Sequence, residues 1–262
     1  MAPGKPHINA GQWLWASWST LASVAIVGAI VAFVASRVNW QFVSGLDFSA
    51  LWVYRYAFWQ GLVNTLTLVG FAVSFGMVLG TLLAIGMQQP FAAIRWPIIG
   101  YVELFRNTPL VVQLFWIHFG LPPLTGVSTS AFSTGFIAIT LQSSAYLADV
   151  ARAGIEAVPK GQWEAADALG LPGRAKWREV VLPQALRIIV PPLANVAVGY
   201  FKASAVLALL SVGELTTVAS RVAQHSFRPI ETFTVVGLIY LALGYVLSTL
   251  TFRLEKMFEG GK

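Results

Sequence analysis

The sequence predicts an all-α fold, a polytopic membrane helix bundle of about six transmembrane helices. Three observations carry that prediction: a composition too apolar for water, six apolar runs of spanning length, and a lopsided distribution of lysine and arginine. Of 262 residues, 56% are hydrophobic and 11% charged, against about 25% charged in an ordinary soluble domain. Such a chain cannot cover its surface with polar groups, so part of its solvent is lipid. Cysteine is absent, which excludes disulfides and thiolate metal sites. His7, His118 and His225 are too scattered for a metal cluster, so no metal site is expected. The net charge of +6 is read as orientation in the bilayer rather than as nucleic-acid binding.

A bilayer-crossing helix needs about 20 apolar residues. Runs of that kind lie near 20–36, 61–87, 97–121, 131–151, 188–213 and 232–252. The first is the shortest, and Lys5 precedes it as in a signal peptide. No A-x-A cleavage pattern follows it, however, and Arg37 comes at once, so it is expected to be a retained anchor. Six spans put both termini on one side. With the N-terminus in the cytoplasm, the inner segments hold 11 basic residues: Lys5, Arg95, Arg152, Lys160, Arg174, Lys176, Arg178, Arg187, Arg253, Lys256 and Lys262. The outer segments hold four, namely Arg37, Arg55, Arg221 and Arg228. The positive-inside rule therefore places both termini in the cytoplasm. Residues 39–60, rich in Trp, Tyr and Phe, are expected to form an outer interfacial helix.

One hydrophilic segment stands out. Ten of the 28 charged residues lie in the 36 positions from Arg152 to Arg187. Pro159-Lys160-Gly161 breaks the preceding helix. GQWEAADAL then reads as a short helix with Trp163, Ala166 and Leu169 on one face and Glu164 and Asp167 beside them. Gly170 suits a left-handed C-cap, and Pro172 prevents continuation. GRAKWREVVL reads as a second helix that groups Trp177, Val180 and Val181 and turns Arg174, Lys176 and Arg178 to water or phosphates. Pro183 is expected to end or kink it. Periodicity alone leaves two readings of this hairpin: an element resting on the inner leaflet, or a small smooth knob, built on Ala165 and Ala166, that docks into another protein.

The run E-A-A at 164–166, Gly170 four residues later and Leu182-Pro183 resemble the EAA loop of ABC-importer permeases. ELFRNTPLVVQLFW (103–116), AYLADVARAGIEAVPKGQWEAADALG (145–170) and GLVNTLTLVGFAVSFGMVLGTLLA (61–84) resemble the polar-amino-acid branch of that family, in matching order across roughly 58–258. The resemblance implies a five-helix permease domain over 58–258, with a coupling loop at 159–187. Residues 1–57, holding the tail, the anchor and the outer segment, would be an addition. It implies that Gln162, Trp163, Glu164, Ala165, Ala166, Leu169 and Gly170 engage a cytoplasmic ATPase dimer. A second permease subunit and an extracytoplasmic substrate-binding protein would complete a complex in a bacterial inner membrane. No G-x-x-x-x-G-K-[ST] phosphate cradle occurs, so no cofactor is expected on this chain. ATP and Mg²⁺ would sit on the partner, and this chain would not be an enzyme by itself.

Polar groups within the spans are candidates for a substrate path, because charge there is costly. Glu103 and Arg106, at i and i+3, either pair or expose Arg106 to substrate. Pro109 loosens the helix at Asn107 and Thr108, a recurrent transporter device. Gln142, Ser143, Tyr146 and Asp149 share a helical stripe, with Asp149 free to pair with Arg152 or Arg106. Lys202, in mid-span, requires a carboxylate, carbonyls or water, from substrate or from Glu103 or Asp149. Ser204 follows it. The amino-acid branch usually reads Asp-Thr-Ser-Leu after this lysine, whereas this chain has Ala203-Ser204-Ala205-Val206. That departure removes an obvious partner for a cationic substrate. Two other classes are weighed: an ion-coupled carrier, which needs no loop knob, and an intramembrane hydrolase using Ser204 or Ser211 with Lys202 or His118. The second lacks a G-x-S-x-G elbow.

Overall fold

A computed structural model describes residues 10–259, so Lys5, His7 and Lys262 lie outside the described residues. All regular structure among these is helical. The chain divides into two compact units, Met1–Asp47 and Phe48–Lys262.

The first unit holds α1 (Ala10–Arg37) and the short α2 (Trp40–Ser44). The Thr20–Arg37 window has mean hydropathy 1.9 and none of it is buried, as befits a helix whose solvent is hydrocarbon. Asn39 caps α2, accepting from the Phe42 amide at 3.0 Å, and Trp40 Nε1 donates to the Ala35 carbonyl at 3.1 Å.

The second unit opens with a 3₁₀ turn (Ser49–Tyr54) leading into α3 (Arg55–Met87). The expected outer helix of 39–60 is therefore divided among α2, the 3₁₀ turn and the first residues of α3 rather than being one helix. Next come α4 (Ala92–Asn107) and α5 (Leu110–Phe115), the latter passing through a π turn (Trp116–Gly120) into α6 (Leu121–Thr125). The expected span at 97–121 is thus broken. Thr108 and Pro109 are both extended, because proline offers no N–H and pushes its predecessor out of helical geometry. Helix α7 (Ala131–Glu156) is followed by α8 (Lys160–Ala168) and α9 (Gly173–Ala175). A π turn (Lys176–Val181) then joins α10 (Leu182–Ala203). Pro183 does not end this run: it stands at the second residue of α10, directly after the π turn. The π turn just before it pairs the Leu182 amide with the Trp177 carbonyl. A 3₁₀ turn (Ser204–Leu210), α11 (Leu215–Ser226) and α12 (Pro229–Glu259) complete the unit.

Four of the six apolar runs, 20–36, 61–87, 131–151 and 232–252, lie within single helices; 97–121 is interrupted at Thr108-Pro109, and 188–213 runs through α10 and the 3₁₀ turn to just beyond Leu210. Among the described residues, four windows are long and apolar enough to cross a bilayer, Thr20–Arg37, Ser49–Met87, Gly173–Leu210 and Pro229–Arg253, and Leu110–Thr125 is a shorter apolar helix; α7, which carries the expected span at 131–151, is not among the four. Helix α7 carries the polar stripe and is the most buried element, packed along α3. That contact depends on small residues, which let helix backbones approach where lipid supplies no hydrophobic drive. A Cβ on Gly80 would lie 2.8 Å from the Ser144 carbonyl and 2.9 Å from Leu147 Cβ. Around the pair, Leu68, Ala72, Leu114, Ile139, Phe201 and Leu207 form the largest buried cluster.

Candidate functional site

The hydrophilic loop folds into a short helical knob. Pro159, extended at φ −55° and ψ 133°, precedes α8. At its far end Gly170 adopts φ 68°. Its amide donates to the Asp167 carbonyl at 3.0 Å, and the Leu171 amide donates to the Ala166 carbonyl at 3.1 Å. This is the paired Schellman closure that favours glycine at the left-handed position. Contacts from α8 hold it to the segment beginning α10. Trp163 and Trp177 meet edge to face with ring centroids 5.4 Å apart. Lys176 ion-pairs with Asp167, and Gln184 Nε2 donates to Gln162 Oε1 at 3.3 Å. Below lies a small apolar core of Val158, Val181, Ala185 and Ile189, against which Trp163 packs.

Ala166 is 2% exposed and faces inward, while Leu169 is 78% exposed. The expected common face of Trp163, Ala166 and Leu169 therefore does not form. Leu169 is the C-cap residue, and it has no place in the small apolar core against which Trp163 packs. The outward surface is made by Glu164, Ala165, Leu169 and Gly170, together with Gln162. Arg174 and Arg178 are exposed, but Lys176 is occupied by Asp167 rather than turned to water.

The second constellation gathers at the broken helix. Thr108 offers its carbonyl to Gln142 Nε2 at 2.8 Å and to Gln113 Nε2 at 3.2 Å. Gln113 Nε2 also donates to the Phe105 carbonyl at 2.9 Å. The carbonyls freed by Pro109 are thus met by side-chain amides, as a break in a membrane helix requires. Tyr146 Oη donates to the Arg106 carbonyl at 3.1 Å and Tyr200 Oη to Gln142 Oε1 at 3.2 Å. Gln142, Tyr146 and Tyr200 line a shallow cleft of about 270 Å³ with Val196, Gly199 and Ala203. Beside it runs a ladder of alternating charge. Glu103 pairs with Arg106 at 3.6 Å, Arg106 with Asp149, Asp149 with Arg152 at 2.8 Å, and Arg152 with Glu156 at 3.0 Å. The hydrogen bond to Asp149 pushes the Arg152 guanidinium above its ordinary pKa. Asn107 Nδ2 donates to Glu103 Oε2 at 2.6 Å.

The structure thus gathers Glu103, Arg106, Asn107, Thr108, Gln142, Tyr146 and Asp149 about one break. Lys202 and Ser204 stand apart. Lys202 is exposed, its Cε running beside Gly244 of α12, and neither Glu103 nor Asp149 pairs with it, both being held in the ladder. Ser204 is fully buried and donates to the Phe201 carbonyl at 2.7 Å. His118 Nδ1 is hydrogen-bonded to Thr134 Oγ1 at 3.0 Å, so no serine–base pair forms with it. Gln113 and Tyr200 were not anticipated. A glutamine inside LVVQLFW, shortly after a proline break, was a readable signal for the first. Tyr200 is placed by tertiary packing alone.

A polytopic helix bundle with a polar break in one span and a hydrophilic helical knob outside the spans has the architecture of a membrane transport subunit. The chain belongs to the family of binding-protein-dependent transport system inner membrane components, the permease subunits of ABC importers, whose model matches residues 76–259. It is 33% identical over 223 residues to the probable amino-acid ABC transporter permease protein YckA of Bacillus subtilis, covering 85% of this chain and 97% of that one. It is 34% identical over 211 residues to the arginine transport system permease protein ArtQ of the same organism, covering 80% and 96%. Among solved structures, an amino acid ABC transporter crystallised with histidines matches with a TM-score of 0.78 at 34% identity, covering 81% of this chain and 99% of that chain. A chain of the MetNI methionine ABC transporter in an inward-facing conformation, at 19% identity and TM-score 0.67 over 78% of this chain and 97% of that one, shares the fold.

Proposed function

We propose that this chain is the membrane subunit of an ATP-driven importer that moves a polar amino acid or related small metabolite inward, and that the α8 knob is its handle. The observation that carries this reading is the knob itself: a nine-residue helix closed by a left-handed glycine and tied to α10. That tie couples a push on α8 to a spanning helix. The relatives named for amino-acid and arginine transport support the substrate class.

In this reading both termini and the knob are cytoplasmic, following the distribution of lysine and arginine. Gln162, Trp163, Glu164, Ala165, Ala166, Leu169 and Gly170 form the handle. A partner ATPase dimer, which holds the ATP and Mg²⁺, grips it from the cytosol. Two permease subunits enclose the path, and an outer binding protein delivers the ligand. Closure of the ATPases draws the two knobs together and opens the path outward; hydrolysis resets it. The chain contributes a two-state conduit whose balance the ATPase and ligand shift. Gln142 and Tyr146 line the cleft side of the path, and the Thr108 carbonyl holds the Gln142 side chain there. Lys202, with no carboxylate within ion-pair distance among the described residues, is the cation that an α-carboxylate or the second subunit satisfies.

Reconstitution tests the reading. Proteoliposomes carrying this chain with its ATPase, supplied with the outer binding protein and labelled amino acids, are expected to accumulate one of them only when ATP is inside. Accumulation by the purified chain alone would contradict it and favour an ion-coupled carrier.

A further inference from the structure

Where α3, α7 and α10 meet next to the knob, their side chains leave a slot of about 610 Å³. Gly76 lies on Ser143 and Gly80 on Leu147, so α3 and α7 run side by side in one direction; Gly154 lies on Ile189, where α10 returns. Ala84, Leu147 and Ile189 are buried and form the floor. Met77 and Ile85 stand on one rim and Leu182 and Leu186 on the other, each about half exposed. The slot is thus open along one side, between two stretches apolar enough to cross a bilayer.

Three features define its occupant. The first is length. The lining runs from Met77 to Gln88 on α3 and from Leu182 to Leu193 on α10. At about 1.5 Å per residue each stretch is about 16 Å long, close to the roughly 15 Å of hydrocarbon in one leaflet. The second is width. That volume over about 16 Å leaves a cross-section of about 40 Å², half of the roughly 80 Å² filled by a helix about 10 Å across. A single hydrocarbon chain fits, whereas a helix with its side chains does not. The third is polarity. Gln88, Gln89 and Trp177 border the end where Trp177 touches Trp163 of the knob, while the far end, at Met77, Leu147 and Leu193, is apolar. The amides of Gln88 and Gln89 each make only one long hydrogen bond, to the Ala84 carbonyl at 3.5 Å and the Ile85 carbonyl at 3.4 Å. Arg178 follows Trp177 in the chain. Arg174, Arg178 and Arg187 are exposed and make no ion pair among the described residues, Lys176 being taken by Asp167. Glu179 is the one carboxylate between Pro172 and Val190, so the polar end is also cationic.

We propose that this slot holds one acyl chain of an anionic phospholipid, with the ester and phosphate oxygens met at the knob end by Trp177, Gln88 and Arg178. Indole rings favour the headgroup level of a bilayer, and clustered arginines draw anionic headgroups. The site follows from the packing of α3, α7 and α10; only its leaflet, the cytoplasmic one, rests on the importer reading. A chain seated there fills the space between α3 and the start of α10, the helix to which the knob is tied.

The test uses the complete permease–ATPase complex, delipidated in detergent and titrated with phosphatidylglycerol or phosphatidylcholine while native mass spectrometry counts bound lipid. Phosphatidylglycerol is expected to bind about tenfold more tightly. Leu186→Trp, which fills the slot from its exposed rim, should weaken both lipids on the order of tenfold or more. Leu241→Trp, at an exposed position of α12 outside the slot, should change neither. Arg174→Glu combined with Arg178→Glu should abolish the preference for phosphatidylglycerol while phosphatidylcholine still binds. Phosphatidylglycerol carrying a diazirine at the end of one acyl chain should label Met77, Leu147 or Leu193. Co-elution with the ATPase confirms that each variant is assembled. Unchanged lipid binding by Leu186→Trp, or labelling confined to other residues, overturns the assignment. Equal binding of glycerophosphoglycerol, which has no acyl chain, overturns it in favour of a bare phosphate site. Cross-linking of Leu186→Cys between two permease subunits, or to a cysteine placed in α1, overturns it in favour of a protein occupant. Labelling of the slot in a complex that accumulates no amino acid leaves the assignment standing and overturns the importer reading.

Discussion

Trp163 and Trp177 meet edge to face, their ring planes at 87° and their centroids 5.4 Å apart. One indole belongs to α8 and the other to the π turn that feeds α10, so the pair joins the knob to a spanning helix. Such a contact contributes about 0.5–1.5 kcal/mol beyond its buried area. Trp163→Ala is expected to leave membrane insertion in place while loosening the handle, weakening ATPase engagement and lowering uptake per ATP hydrolysed. Trp163→Phe should recover most of the coupling. Parallel measurement of uptake and hydrolysis in proteoliposomes checks this.

Close packing of α3 on α7 predicts a position-specific stability effect. Gly80→Ala drives a methyl into the Ser144 carbonyl and Leu147, both within 2.9 Å, and should cost about 1–3 kcal/mol through overpacking. Gly70, on the same helix, has nothing within 4 Å of an added Cβ, and Gly70→Ala should be neutral or stabilising. Thermal unfolding of both variants in detergent separates the outcomes.

Arg106 and Asp149 join α4, at the polar break, to α7. Removing one charge strands the other in a partly buried setting, so Asp149→Asn and Arg106→Gln are each expected to destabilise the protein. The double variant should lose less than the sum, by about 0.5–3 kcal/mol. Additive losses in such a cycle would show that the pair contributes nothing beyond its separate residues. A rise in the half-saturating ligand concentration at unchanged stability would instead assign Arg106 to the substrate.

Glu214, outside the spans, is pushed above the ordinary carboxylate range by burial, against the opposing hydrogen bonds from Thr216, Thr217 and Tyr240. The folded protein therefore holds this proton more tightly than the unfolded chain. Its stabilising contribution is full below the ordinary glutamate value and is lost as pH rises through the folded one. Melting temperature should rise as pH is lowered from neutral across that window. Glu214→Gln should flatten this part of the profile.

Much of this was legible in the sequence because the bilayer imposes a length and a polarity on every span. The apolar runs, the break at Thr108-Pro109 and the left-handed Gly170 follow from local chemistry. The uninterrupted path through Pro183 did not, since a π turn absorbs the missing donor without leaving a compositional mark. Leu169 departs from the face its spacing predicts because the apolar core beneath α8 does not extend to the C-cap. Helix α11 was overlooked inside a segment considered only for its charges, although the buried positions 215, 219, 222 and 223 repeat with helical spacing behind Glu214. At the polar break, the residues already on one helix were foreseen. Those brought in from elsewhere, Gln113 and Tyr200, depend on how α5, α7 and α10 pack.

The absence of cysteine from the chain makes the central claim directly measurable. Leu169→Cys and Ala166→Cys are introduced singly and treated with a membrane-impermeant maleimide on intact cells and on inside-out vesicles, with and without the ATPase. A cytosolic handle gripped by a motor requires Leu169→Cys to react only in inside-out vesicles and to be protected when the ATPase is bound, with Ala166→Cys slow throughout. Reaction of Leu169→Cys in intact cells, or reaction in vesicles that the ATPase does not diminish, would contradict the account.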